Sequence, residues 1–245
     1  MNKLVIVLFV SVLSFSNSTL LKAQSDCCGL GSIFQSMVQS GIFGGYGMQQ
    51  YSAKGLNDVL PHDAGFNDFG TAWGWRAGAN ILGFRQNDFL VALKFYFQST
   101  TEKQDRTGEE NGEPYTQELK LLINQWDLGM SFSYVISKNF DFRIADILIS
   151  WTGAELRNSF TTADAPPDDV YKSPGSNTGF TFDTGFVWYP FPPYLALEIL
   201  GGYSIFTVDE LVLEEGSSEL TEITNPIDGG GFFAMAVLTI GIPFN

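Results

Sequence analysis

Six charged residues stand singly among apolar or small neighbours: Arg76, Lys94, Asp127, Arg143, Asp183 and Glu198. If all six face one enclosed space, three cations meet three carboxylates there. Such groups pair as a structural polar core, or exchange partners as a gate for small ions. Breaking one buried pair costs about 3–5 kcal/mol, so burial makes pairing close to obligatory. A second set of acids lies in polar stretches. Residues 208 to 230 carry Asp209, Glu210, Glu214, Glu215, Glu219, Glu222 and Asp228 with no basic residue. Residues 100 to 115 carry Glu102, Asp105, Glu109, Glu110 and Glu113 against Lys103 and Arg106. Carboxylates are hard ligands suited to calcium or magnesium. No spacing here matches an EF-hand loop, and solvated acidic loops are the reading adopted.

Nucleophilic chemistry has little to work with. His62 is the single histidine, followed by Asp63. A histidine base needs an orienting carboxylate and a nearby hydroxyl, and no serine is marked as the partner. The expectation is therefore no catalytic residue, no cofactor and no metal site. Cys27 and Cys28 are adjacent and are the only cysteines, which supplies neither a four-ligand zinc site nor a disulfide framework. A vicinal disulfide, two free thiols or acylation of Cys27 stay open, although Gln24-Ser25-Asp26 is a poor match to a lipidation site.

Composition narrows the class. Of 245 residues, 13 are basic and 27 acidic, for a formal net charge of −14, and 15% are aromatic. That aromatic content argues against disorder. The negative charge repels phosphate backbones, so nucleic acid is not an expected partner.

The elements that position the six charges come next. Lys3 precedes the apolar run Leu4 to Leu13, and Ser14, Ser16, Asn17, Ser18 and Thr19 interrupt it. A basic start and about ten apolar residues describe a secretory signal, whereas a spanning helix needs about 20. Residues 1–23 are read as that signal, with cleavage near Ala23. Residues 24–39 follow as a periplasmic segment. Within it Leu30, Ile33, Phe34, Met37 and Val38 recur at helical spacing, which predicts a short amphipathic helix.

From residue 40 the period changes to two. Trp73, Trp75, Ala77, Ala79 and Ile81 oppose Gly74, Arg76, Gly78 and Asn80. Phe89 to Phe97, Trp126 to Ile136, Phe180 to Trp188, Leu195 to Ile205 and Phe232 to Phe244 repeat the pattern. Residues 41 to 51 follow it with more glycine. In residues 139 to 156 the apolar parity switches between Ile144 and Ile147, and a β-bulge near Ala145 would restore the register. Short connections at 83–87, 137–139 and 190–193 alternate with long polar ones at 52–69, 100–115, 157–177 and 208–230. Eight alternating segments joined in this way predict an all-β, eight-stranded antiparallel up-and-down transmembrane barrel over residues 40–245. A soluble lipocalin-like barrel is the alternative.

This architecture, with its terminal aromatic strand from Phe232 to Phe244, resembles the small outer-membrane barrels of Gram-negative bacteria, the OmpA-, OmpX- and OmpW-like group. The resemblance implies location in the bacterial outer membrane and contact with lipid and lipopolysaccharide. It also implies recognition of the last strand by the barrel-assembly machinery, from whose usual signal Asn245 after Phe244 departs. The function expected is that of a non-enzymatic, membrane-anchored scaffold or binding protein. It would serve alone or as an accessory subunit of a larger complex with outer-membrane or periplasmic proteins. The alternatives are a narrow channel or transporter for ions or small hydrophobic solutes, and a lipid A-modifying enzyme that uses His62.

Overall fold

The computed structural model describes residues 40–60, 66–110, 113–161, 167–192, 194–218 and 220–242. The signal at 1–23, the helix expected within 24–39, both cysteines, and His62 with Asp63 lie outside them. The elements are β1 (Ser40–Ser52), a one-turn helix α1 (Lys54–Asn57), β2 (Thr71–Gln86), β3 (Phe89–Glu110), β4 (Glu113–Ser137) and β5 (Phe140–Thr161). There follow β6 (Asp169–Lys172), β7 (Asn177–Phe191), β8 (Leu195–Ile205), β9 (Val208–Glu215), β10 (Glu222–Ile227) and β11 (Gly229–Ile242).

Eight of these strands close a ring. Going round, β1 pairs with β2, β2 with β3, β3 with β4, β4 with β5, β5 with β7, β7 with β8, β8 with β11 and β11 with β1. All pairs are antiparallel, and a sheet closed on itself leaves no ring strand with an unpaired edge. Period-two sequence sends alternate side chains in and out. Along β7, Phe180, Phe182, Phe186 and Trp188 are exposed, while Thr181, Asp183, Val187 and Tyr189 are buried. Polarity is inverted relative to a water-soluble protein: Arg76 is 1% exposed and Ile199 is 73% exposed.

The interior is narrow, and glycine makes room in it. A Cβ on Gly78 would lie 2.4 Å from the Cβ of Tyr96, its cross-strand neighbour. One on Gly202 would lie 2.7 Å from the Cβ of Asp183. Larger residues at either site would push these side chains out of place. Ile144 is the extra residue of a bulge in β5. Phe132 faces Ala145 and Ser133 faces Arg143, which leaves Ile144 without a partner on β4.

Strands β3, β4 and β5 run far past the ring. They have 22, 25 and 22 residues. Above Thr152, β5 leaves β7 and pairs with β6, which pairs with β9, which pairs with β10. The ring thus opens upward into a wall of six strands ordered β10-β9-β6-β5-β4-β3. The segment after β1 folds back inside this wall. Leu56, Leu60, Phe66 and Phe69 pack there with Leu119, Leu121, Ile123, Leu156, Leu211 and Ile227. Burial of each large apolar side chain contributes about 1.5–3 kcal/mol, so this core holds the extension together. The expectation of long polar loops is corrected accordingly. Much of 100–115 and 208–230 is strand, because a hairpin already in register continues to pair locally beyond the ring.

Candidate functional site

The interior of the ring is the candidate site. Among the described residues it buries three cations (Arg76, Lys94 and Arg143) and five carboxylates (Asp127, Asp141, Asp146, Asp183 and Glu198). The six residues singled out from the sequence are all there. Two carboxylates the sequence analysis did not name, Asp141 and Asp146, join them.

Asp146 is the hub. Its carboxylate receives Lys94 Nζ on one oxygen and lies 3.4 Å from Arg143 Nη1 on the other. Arg143 then reaches across to Glu198, 2.6 Å away, and donates to Ser131 Oγ at 2.6 Å. Thr239 donates to the other oxygen of Glu198 at 2.6 Å. The chain Lys94–Asp146–Arg143–Glu198 therefore ties β3, β5 and β8 together through the middle of the ring. Asp146 was legible only indirectly, in the parity switch after Ile144 that turns it inward.

Arg76 forms a second station. It donates to Gln98 Oε1 from Nε at 3.2 Å and from Nη2 at 2.9 Å, and its Nη1 lies 3.7 Å from Asp183. Its guanidinium sits 4.4 Å from the ring centre of Tyr96 and 5.0 Å from that of Phe233. Stacking of this kind suits a planar, weakly hydrated cation better than an ammonium. Gln98 also donates to Gln49, so Arg76 carries contacts from β2 to β3 and on to β1.

Asp127 makes no ion pair among the described residues. Its donors are neutral: Gln125 Nε2, 2.9 Å from each carboxylate oxygen, and Ser150. Near the turn end of the ring, Tyr189 donates to Asp141 at 2.8 Å. Buried charges need such partners, since each ion taken out of water costs several kcal/mol. Filled in this way, the interior is a cross-braced plug.

Acids in the extension are partly structural too. Glu102 Oε2 accepts from Tyr51 Oη at 2.7 Å, Thr71 N at 2.7 Å and Gly70 N at 3.0 Å. Asp169 Oδ1 accepts from Ser217 N at 3.0 Å and Ser218 N at 3.2 Å. Solvation alone, as expected from the sequence for the acids of 100–115, does not describe Glu102. On the outer face, Lys103 pairs with Glu118 at 2.9 Å and Lys172 with Glu214 at 2.8 Å. In exposed pairs like these, the facing carboxylates raise both lysines above their usual range.

No protein-family model matches the chain, and no curated protein sequence matches it. Among the solved structures that resemble it at low identity are the following three. The outer membrane protease OmpT from Escherichia coli shares 11% identity with a TM-score of 0.44, over 83% of this chain and 95% of OmpT. Ail, the attachment invasion locus protein of Yersinia pestis, shares 12% with a TM-score of 0.38, over 83% of this chain and 96% of Ail. Neisserial surface protein A shares 10% with a TM-score of 0.34, over 83% and 96% of the two chains. No activity is transferred across such distances. OmpT does correct one expectation. The sequence argued for a protein without catalysis, yet one of the structures the chain resembles is a protease. Fold does not set activity, and the scarcity of histidine and cysteine is not grounds to exclude an enzyme.

Proposed function

We propose that this chain is a bacterial outer-membrane barrel protein of the small OmpA/OmpX/OmpW-like kind. Its ring is the anchor and its outer extension is a surface presented to ligands or protein partners. The observation that carries the reading is the outward apolar band. On β3 and β4 the band is bounded by two cross-strand aromatic pairs, Phe97 with Trp126 at 4.7 Å and Phe89 with Tyr134 at 5.3 Å. The eight steps from Phe89 to Phe97 span about 27 Å along the strand, or about 21 Å at the tilt usual for such barrels. The hydrocarbon-facing band of outer-membrane barrels is about 25 Å tall, with aromatic girdles at both edges. Beyond the upper pair, β4 continues from Gln125 back to Glu113, well clear of any bilayer that fits the band.

The same arrangement weighs against an open channel. Ion pairs cross the interior, and the apolar core around Leu56, Leu121 and Leu211 lies above it. The proposed role is therefore anchoring and presentation, within a larger outer-membrane assembly if a partner docks on the extension. The test is extraction from membranes in mild detergent, followed by a native gel and mass spectrometry of the band. Recovery from the outer-membrane fraction with co-purifying proteins supports the role. Recovery in the soluble fraction refutes the anchor. Step conductances in a planar bilayer would restore the channel reading in place of the plug.

A further inference from the structure

We propose that the cluster around Asp127 is an occluded binding site for a monovalent alkali cation. The inference starts from the position of one nitrogen. Gln125 Nε2 lies 2.9 Å from both carboxylate oxygens of Asp127, 3.0 Å from Thr181 Oγ1, 3.3 Å from Ser150 Oγ and 3.5 Å from Ser204 Oγ. Five oxygens from four strands thus converge on one point, and an amide nitrogen with a partial positive charge fills it. That is a hard-oxygen cage of the kind alkali and alkaline-earth cations select.

Three further observations point to a ligand. Asp127 is completely buried and makes no ion pair among the described residues, whereas Asp146, Asp183 and Glu198 each lie beside a cation and Asp141 receives the phenol of Tyr189. A buried carboxylate without an ion pair is unfavourable, and a bound cation lowers that penalty. Gln125 Oε1 is buried and has no hydrogen-bond partner among the described residues. When the amide turns out of the centre, this oxygen becomes the sixth ligand and two buried groups are satisfied together. Finally, among the described residues the interior holds five carboxylates against three cations, and one added positive charge narrows that gap.

The charge of the cage sets the ion class. One carboxylate with hydroxyl and amide oxygens balances a single positive charge. A divalent ion would leave an uncompensated charge in a dry space. The apolar core above and the ion pairs below close the site, so the cation enters as the ring forms and exchanges slowly afterwards.

The test uses the full chain refolded separately in sodium, potassium or choline chloride at equal ionic strength. Choline screens surface charge as the alkali ions do but is too large for the cage. The thermal unfolding midpoint is expected to be about 5–10 °C higher in one alkali salt than in choline, the shift a folded-state site gives near saturation. Asp127→Asn, nearly isosteric but neutral, is expected to unfold at the same midpoint in all three salts. Crystals of the unaltered protein grown with thallium(I) are expected to show an anomalous peak inside the cage, a readout independent of the variant's folding. Equal midpoints in all salts overturn the site, as does a cation effect that persists in Asp127→Asn. A midpoint that responds to pH but not to the cation also overturns it, and Asp127 is then neutralised by a proton. So does an empty cage with thallium.

Discussion

Arg143 and Asp146 are three residues apart on one strand, yet both point into the ring, with guanidinium and carboxylate 3.4 Å apart. In a regular strand, residues separated by an odd number face opposite sides. The bulge at Ile144 removes that conflict, and Thr184 pins it by donating to the carbonyl of Arg143 at 2.7 Å. One irregular residue thereby sets which charges meet inside.

Asp146→Asn tests the hub. The change keeps the shape and removes the charge, leaving Lys94 without its carboxylate and Arg143 with Glu198 alone. The expected loss of stability is about 3–5 kcal/mol, read by urea unfolding in detergent micelles. A loss below about 1 kcal/mol would mean that these groups do not depend on the pair.

Ile144 separates the bulge from its side chain. Ile144 faces outward, so Ile144→Ala is expected to fold normally and lose less than about 1 kcal/mol. Deleting the residue turns either Arg143 or Asp146 to the outside, a slip that reverses every side chain beyond it. The deletion is expected to yield no compact, heat-modifiable band on a gel. Normal migration of the deletion variant would show that the register is set elsewhere.

The outer core is separable from the ring. Leu121 and Leu211 are fully buried in the extension, and Leu211→Ala is expected to cost about 2–5 kcal/mol there. Limited proteolysis should then cut the extension first and leave a resistant ring. Simultaneous loss of both would show them to be one cooperative unit.

Tyr51 gives the extension an alkaline limit. Burial raises its phenol well above the ordinary tyrosine range, and the hydrogen bond to Glu102 with that carboxylate's charge raises it further. A raised folded-state value contributes stability that is complete below the unfolded value near pH 10 and is lost as pH rises toward the folded one. Unfolding followed from pH 9 upward is expected to show stability falling in the unaltered protein. The slope should be shallower in Tyr51→Phe, and equal slopes would assign it to other groups.

The outward face is tested by Ile199→Arg. In a barrel set in lipid, a cation near mid-band costs about 2–4 kcal/mol. The penalty is expected in liposomes and should shrink in urea-stable micelles that let the guanidinium reach water. An equal, small effect in both would argue against lipid at that face.

Much of the fold was legible because β structure writes one local rule into the chain. Alternation from Trp73 to Ile81 or Phe180 to Trp188 assigns each residue to a face without knowledge of its neighbours. The same rule placed Arg76, Lys94, Asp127, Asp183 and Glu198 together on the inward side. Asp146 was missed because its face depends on where the bulge falls, and Asp141 because it lies so close to the turn. Leu119, Leu121 and Ile123 alternate as clearly as the ring strands do. They fall between the connection at 100–115 and the segment that starts at Trp126, because nothing local marks where lipid ends and a second core begins.

By itself, then, the sequence determined parity: which side chains face in, which face out, and that the outward ones are apolar. Tertiary structure alone decided partnership. Arg143 meets Glu198 across 55 positions of sequence, and Gln125 meets Ser204 across 79. Such contacts exist only once the sheet closes and its register is set, because closure brings side chains from different strands to the same height in one narrow space.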